Sequence, residues 1–204
     1  MKNSNNTNGN YIKIVIYGTV LSGKTTFLET LYLICNEGDK KLKISEDLKK
    51  IDMATGRTIY FDKGVFTLED HSDIFHLFTV AGQSRWKPLR KKVLQNADFI
   101  IFVVDSQRSR IPDNVDSLKE LRRILKENEI ENTPFMLIMN KQDLDDAISL
   151  SFFQTVMEEE GIFFSDGLLI TAEPIGFETV AIFENNMNIY ESIIEVIRRI
   201  TENN

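Results

Sequence analysis

The chain has 204 residues, 42% of them hydrophobic and 27% charged, with a net charge of −7. That length fits one ordinary domain with a full core, and the acidic balance argues against a nucleic-acid binder. A single cysteine, Cys35, excludes an internal disulfide, and no apolar run reaches the ~20 residues that span a bilayer. Residues 1–10, polar and asparagine-rich, are expected to form a disordered tail ahead of one domain over 11–204. Ile12–Tyr17 reads as a buried strand and Thr26–Tyr32 as a helix. The lysine- and acid-rich stretch Glu37–Lys50 is expected to include a mobile loop. Two strands with partial alternation, Arg57–Asp62 and Asp73–Val80, join around Gly64 or through Glu69–Ser72. A short helix follows over Trp86–Gln95, then the buried strand Phe99–Val104. Pro112 opens a helix with Val115, Leu118, Leu121 and Ile124 on one stripe. Phe135–Met139 is a strand, 149–160 a helix, Leu168–Ile170 a last strand and Ile189–Ile200 a terminal helix. This alternation predicts an α/β three-layer αβα sandwich of about six mostly parallel strands, one antiparallel edge strand and about five helices.

Between the first strand and the first helix stands Gly18-Thr19-Val20-Leu21-Ser22-Gly23-Lys24-Thr25, which fits the phosphate-binding loop G-x-x-x-x-G-K-[ST] in its required context. The glycines let backbone N–H groups turn inward around a phosphate chain, and the helix N-terminus adds its positive dipole end. Lys24 would reach the β- and γ-phosphates, and the Thr25 hydroxyl would ligate Mg2+. Leu21, Ser22 and Thr26 complete the nucleotide-binding set at the loop.

Asn140-Lys141-Gln142-Asp143 leaves the end of the strand Phe135–Met139. An Asp143 carboxylate there accepts from both N1–H and the exocyclic amine of guanine, whereas adenine would leave it unpaired. Asn140 would bridge back to the phosphate loop and Lys141 would lie along the base. GTP or GDP is therefore the expected ligand.

With these motifs in place the chain resembles the Ras-like small GTPases over roughly residues 11–200. The resemblance rests on Gly18–Thr25, Gly82-Gln83, Asn140–Asp143 and Thr171-Ala172. More narrowly it is similar to the prokaryotic MglA-type GTPases, through Gly56–Asp62, Phe75–Gln83 and Val104–Gln107. The resemblance implies that Gly82 contacts the γ-phosphate and that Gln83 orients the attacking water. It implies that Thr58, with Thr55 as runner-up, is the first-switch threonine that binds Mg2+ and the nucleotide. It also makes Arg57 an intrinsic arginine that neutralises transition-state charge, and has Thr171, Ala172 and Glu173 supply a backbone N–H to the guanine oxygen through Ala172.

One position departs from the superfamily pattern: Thr79 stands where an aspartate usually holds Mg2+ through water. Asp62 and Asp105, each near a strand end, are the candidates to replace that carboxylate, Asp62 first. The alternative is a GTP-binding scaffold without hydrolysis. The resemblance implies a slow GTPase switch, with loops near 51–62 and 79–92 that meet effectors and a roadblock-fold activating protein. Trp86 among Arg85, Lys87, Arg90, Lys91 and Lys92 suits such a partner surface. His71 and His76 lack metal-ligand spacing. Lys2 after Met1 departs from the myristoylation pattern and the last residues hold no prenylation cysteine, so a cytoplasmic protein without a lipid anchor is expected.

Overall fold

The apolar run around Ile14 becomes β1 (Tyr11–Tyr17), the central strand of a seven-stranded sheet. The computed structural model describes residues 9–52, 60–80, 87–127, 133–162 and 176–202. In chain order, β1 is followed by α1 (Lys24–Glu37), β2 (Leu42–Asp52), β3 (Tyr60–Leu68), β4 (Ile74–Thr79) and α2 (Lys87–Leu94). Then come β5 (Phe99–Asp105), α3 (Ile111–Glu127), β6 (Phe135–Asn140), α4 (Leu150–Glu159), β7 (Gly176–Thr179) and α5 (Ile189–Glu202). The strand order is β2-β3-β4-β1-β5-β6-β7. β1 pairs in parallel with β4 and β5, and the parallel ladder continues through β6 to β7. β3 alone runs against its neighbours, antiparallel to both β2 and β4.

Alternation along β1 sends Ile12, Ile14 and Ile16 to one face and Val15 and Tyr17 to the other. The first face is covered by α1 (Phe27, Leu28, Leu31) and α5 (Ile189, Ile193, Val196, Ile197). The second is covered by α2, α3 and α4 through Leu89, Val93, Leu118, Leu121 and Phe153. This is the expected αβα sandwich, with seven strands rather than about six.

Two expectations change, and one choice left open by the sequence is decided. The segment expected to hold a mobile loop over Glu37–Lys50 is mostly strand β2. Its Leu42 is fully buried, and Ile44 and Leu48 pack against the first core. Register shifts between Ile44 and Lys49 break the two-residue period that marks a strand in sequence. β3 begins at Tyr60 and continues to Leu68, so Gly64 lies inside a strand, and of the two joins expected it is the one through Glu69–Ser72 that leads to β4. A Cβ at Gly64 would come within 2.7 Å of the Phe66 ring and 3.2 Å of Leu28. The antiparallel strand is therefore second from the edge. The strand expected at Leu168–Ile170 lies outside the described residues, and the seventh strand is Gly176–Thr179. Residues 1–8 of the expected tail also lie outside them; the Asn10 N–H donates to Asp73 Oδ1 at 2.9 Å. Among the described residues no helix is long and apolar enough to cross a membrane.

Candidate functional site

The carboxyl ends of β1, β4, β5, β6 and β7 meet at one rim of the sheet, and β3, running the other way, begins there. Ligands of open α/β sheets bind outside this rim. The loop after β1 turns on Gly18, at φ +146°, where an added Cβ would meet Val103 O at 2.3 Å. Gly23, at φ +95°, sits at the N-cap of α1, and a Cβ there would strike Asn140 Nδ2 at 2.2 Å. Leu21 also takes the left-handed region, at φ +64°, while 77% exposed.

Lys24 is buried, and its Nζ donates to Thr19 O at 2.5 Å and approaches Ser22 Oγ at 3.4 Å. Burial, helped by the charge of Arg90, pulls its pKa down to about 7. The ammonium is thus short of compensating anions, as expected of a group built to meet phosphate. Thr25 stands in the first turn of α1, and its hydroxyl donates to Asp62 Oδ2 at 2.6 Å. Thr79 closes the arrangement: its hydroxyl donates to Asp62 Oδ2 at 3.1 Å and accepts from the Asp62 N–H at 2.9 Å. Asp62 and Thr79 are both buried. Thr79, the residue that departs from the superfamily pattern, therefore holds a carboxylate supplied by another strand, that of Asp62. Asp105, the other candidate, turns away toward Lys141, 2.6 Å from its Nζ. A threonine hydroxyl beside a carboxylate is an all-oxygen donor pair that fits Mg2+. Among the described residues no group of three or more His, Cys, Asp or Glu forms a metal cluster.

At the end of β6, Asn140 Nδ2 donates to Ser22 O at 2.9 Å, the bridge to the phosphate loop expected from sequence. Its Oδ1 faces Thr179 Oγ1 at 3.4 Å, and the Gln142 N–H donates to Thr179 O at 3.1 Å. These contacts hold three strand ends around a cleft of about 230 Å³. The expected Leu21, Gly23, Thr26, Asn140, Lys141 and Asp143 line it together. Among the described residues, no hydrogen bond or ion pair engages the Asp143 carboxylate.

Leu144, Ala181 and Ile182 also line the cleft, and none of them was read from the sequence. Ala181 follows β7 and is anchored through its carbonyl, which accepts from Thr30 Oγ1 of α1 at 2.5 Å. A signal was present, since Thr179-Val180-Ala181 offers a second small residue after a hydroxyl, just past Thr171-Ala172-Glu173. Those three residues lie outside the described residues, as do Thr55, Arg57, Thr58, Gly82, Gln83, Arg85 and Trp86. Of the basic run, Arg90 is buried, near Tyr17 and paired with Glu120, rather than presented on a surface.

The sequence and the fold have counterparts in known proteins. Residues 2–203 match the model of the ADP-ribosylation factor family. The mutual gliding-motility protein MglA of Myxococcus xanthus (strain DK1622) is 34% identical over 155 residues, covering 74% of this chain and 77% of the relative. The Arl6 (BBS3) small GTPase from Trypanosoma brucei, solved with the bound nucleotide analogue GppNp, superposes with a TM-score of 0.63 at 18% identity. That match covers 95% of this chain and 99% of the other. With a phosphate loop, a guanine-type Asn-Lys-x-Asp end on β6 and a family match across nearly its whole length, the chain belongs to the ADP-ribosylation factor family of Ras-like small GTPases.

Proposed function

We propose that the protein is a GTP/GDP switch that hydrolyses GTP slowly with Mg2+, using Asp62 where the superfamily pattern has an aspartate at the position of Thr79. The single observation that carries this reading is the 2.6 Å contact between the Thr25 hydroxyl and the buried Asp62 carboxylate. Thr25 and Asp62, with Thr58 from the first switch, would hold Mg2+, which when bound neutralises charge on the β- and γ-phosphates. Lys24 and the backbone of Gly18–Thr25 grip the phosphate chain. Asp143 reads the guanine donors, Lys141 lines the base, and Ala181 is the described residue best placed to offer an N–H to the guanine oxygen. Gln83, after Gly82, orients the attacking water, and Arg57 neutralises charge in the transition state.

On this reading, GTP orders the loops around Thr58 and Gln83 and hydrolysis releases them. Slow turnover calls for an activating protein, of roadblock-like fold by analogy with the MglA type, and for effectors at the switch face. The protein would act in the cytoplasm. The presence of Asp62 at the site argues against the non-hydrolysing scaffold.

The test is GTP turnover by the purified protein with and without Mg2+, beside Gln83→Ala and Asp62→Ala. Phosphate release that needs Mg2+ and falls in both variants supports the reading. Tight GTP binding with no release, alone or with candidate activators, would establish the scaffold instead.

A further inference from the structure

Asp105 closes β5 with a carboxylate only 1% exposed, and two cations converge on it. Its Oδ2 lies 2.6 Å from Lys141 Nζ and 3.7 Å from Arg110 Nε. Its Oδ1 accepts from the Gln107 N–H at 3.2 Å. Asn114, fully buried on α3, clamps the backbone of the same residue: its Oδ1 accepts from the Asp105 N–H at 3.1 Å and its Nδ2 donates to Asp105 O at 2.8 Å. The carboxylate therefore has little freedom to move. Arg110, in the turn before α3, reaches the opposite way, and its Nη2 donates to Val20 O of the phosphate loop at 3.0 Å. Asp113 pairs with the same guanidinium.

We propose that Asp105 is a positioning residue for the nucleotide: it fixes Lys141 at the base and, through Arg110, ties that end of the site to the phosphate loop. The proposal rests on the guanine-nucleotide reading above. Lys141 carries a four-carbon stem with much rotamer freedom, and its backbone stands at φ +71°, a region that L residues adopt at a cost. A side chain already held in place by a buried anion loses less freedom when the ligand arrives, which is preorganisation. Arg110 meets the carboxylate on one side and the Val20 carbonyl on the other, so the loop that receives the phosphates and the residue that lines the base share one anchor. The Asp105 carboxylate meets Lys141, Arg110 and the Gln107 N–H. It acts through Lys141 and Arg110.

The experiment follows release of a fluorescent GDP analogue from wild type, Asp105→Asn, Lys141→Ala, the double variant and Arg110→Ala. Asp105→Asn keeps the size of the side chain and removes the charge. It is expected to speed GDP release about tenfold, the scale of a lost charge-assisted hydrogen bond. In the Lys141→Ala background the same change is expected to have an effect of about threefold or less, because the group that it positions is gone. Equal effects in both backgrounds would mean general loosening of the fold and would overturn the positioning role. Arg110→Ala, a partly exposed site that leaves the buried carboxylate in place, is expected to speed release as well. Release at the wild-type rate there would overturn the link to the phosphate loop, even if Asp105→Asn fails to fold. A wild-type protein that binds no GDP would overturn the guanine reading and this proposal together, and that failure shows before any variant is compared.

Discussion

The Thr25 hydroxyl and the Asp62 carboxylate meet at 2.6 Å across the gap between α1 and β3. They are 37 residues apart in sequence, and the antiparallel run of β3 brings Asp62 to the rim where the parallel strands end. A serine or threonine at the end of a phosphate loop is expected to serve Mg2+, and Asp62 gives it an anionic neighbour.

Asp62→Ala should therefore weaken Mg2+-dependent retention of GDP by about 10- to 100-fold, the usual cost of losing a group that orients or tunes a metal site. The measurement is GDP release with excess Mg2+ and with EDTA. In the wild type chelation should speed release strongly; in Asp62→Ala the two rates should converge. Thr79→Val, which removes the hydroxyl that holds Asp62, should give an intermediate result. A variant with wild-type sensitivity to EDTA would show that Asp62 has no part in metal binding.

A second pair, buried at Arg90 and half-buried at Glu120, ties α2 to α3. Arg90, 4% exposed, pairs with Glu120, and its Nη1 approaches the Tyr17 hydroxyl at 3.4 Å at the base of the phosphate loop. Removing Glu120 takes a charge-assisted partner from a buried guanidinium, at a cost of about 1.5–3 kcal/mol. Glu120→Ala should cost about that much in denaturant unfolding. Glu120→Gln, which keeps a hydrogen-bond acceptor for Arg90, should cost clearly less. A loss within 1 kcal/mol for Glu120→Ala would mean that Arg90 finds water or another acceptor.

Much of this site was legible because its chemistry is local. Gly18–Thr25 and Asn140–Asp143 are contiguous strings, each at the end of an apolar run, so the Asn140 to Ser22 bridge could be anticipated. Asp62 could be ranked ahead of Asp105 from sequence, but its contact with Thr25 depends on where β3 starts and which way it runs. The strand β2 was obscured by its charges and its broken register, although Leu42 and Ile44 already showed the alternation. Ala181 was missed because an alanine soon after a threonine occurs twice in that stretch, at Ala172 and Ala181, and only the pairing of β7 with β6 brings Ala181 beside Asp143. Arg90 looked like part of a basic surface, since burial of an arginine depends on a partner, Glu120, on another helix.

His76 on β4 should make the fold sensitive to acid. Its ring stacks on Tyr11 at 4.1 Å and lies 6.4 Å from Phe78, with Lys63 and Glu46 as the charged groups around it. Burial and the charge of Lys63 lower its pKa below the ordinary 6.5, against a smaller opposing pull from Glu46. The unfolded chain therefore takes up a proton at higher pH than the folded protein does. The stability that this neutral ring contributes is present above pH 6.5 and is lost as pH falls through 6.5 toward the lowered folded value. The drop in Tm between pH 7 and pH 5.5 should be smaller in His76→Phe than in the wild type. Equal drops would mean that other groups carry the acid sensitivity.

Asp143 offers the sharpest test of base selection. A carboxylate only accepts hydrogen bonds, which suits the two donors that guanine presents, N1–H and the exocyclic amine. Xanthine keeps N1–H but carries a carbonyl in place of the amine. An asparagine side chain, with one acceptor and one donor group, matches xanthine and mismatches guanine. Asp143→Asn should therefore weaken GDP binding on the order of 10- to 100-fold, the cost of hydrogen bonds to a charged group. It should gain affinity for XDP by a similar factor. Titration of both nucleotides against both proteins reads the crossover directly. The mouth of the cleft at Leu21 and Ile182 is untouched by the change, so a merely damaged pocket would lose both nucleotides together. That loss, without the gain for XDP, would remove Asp143 from the base-reading role.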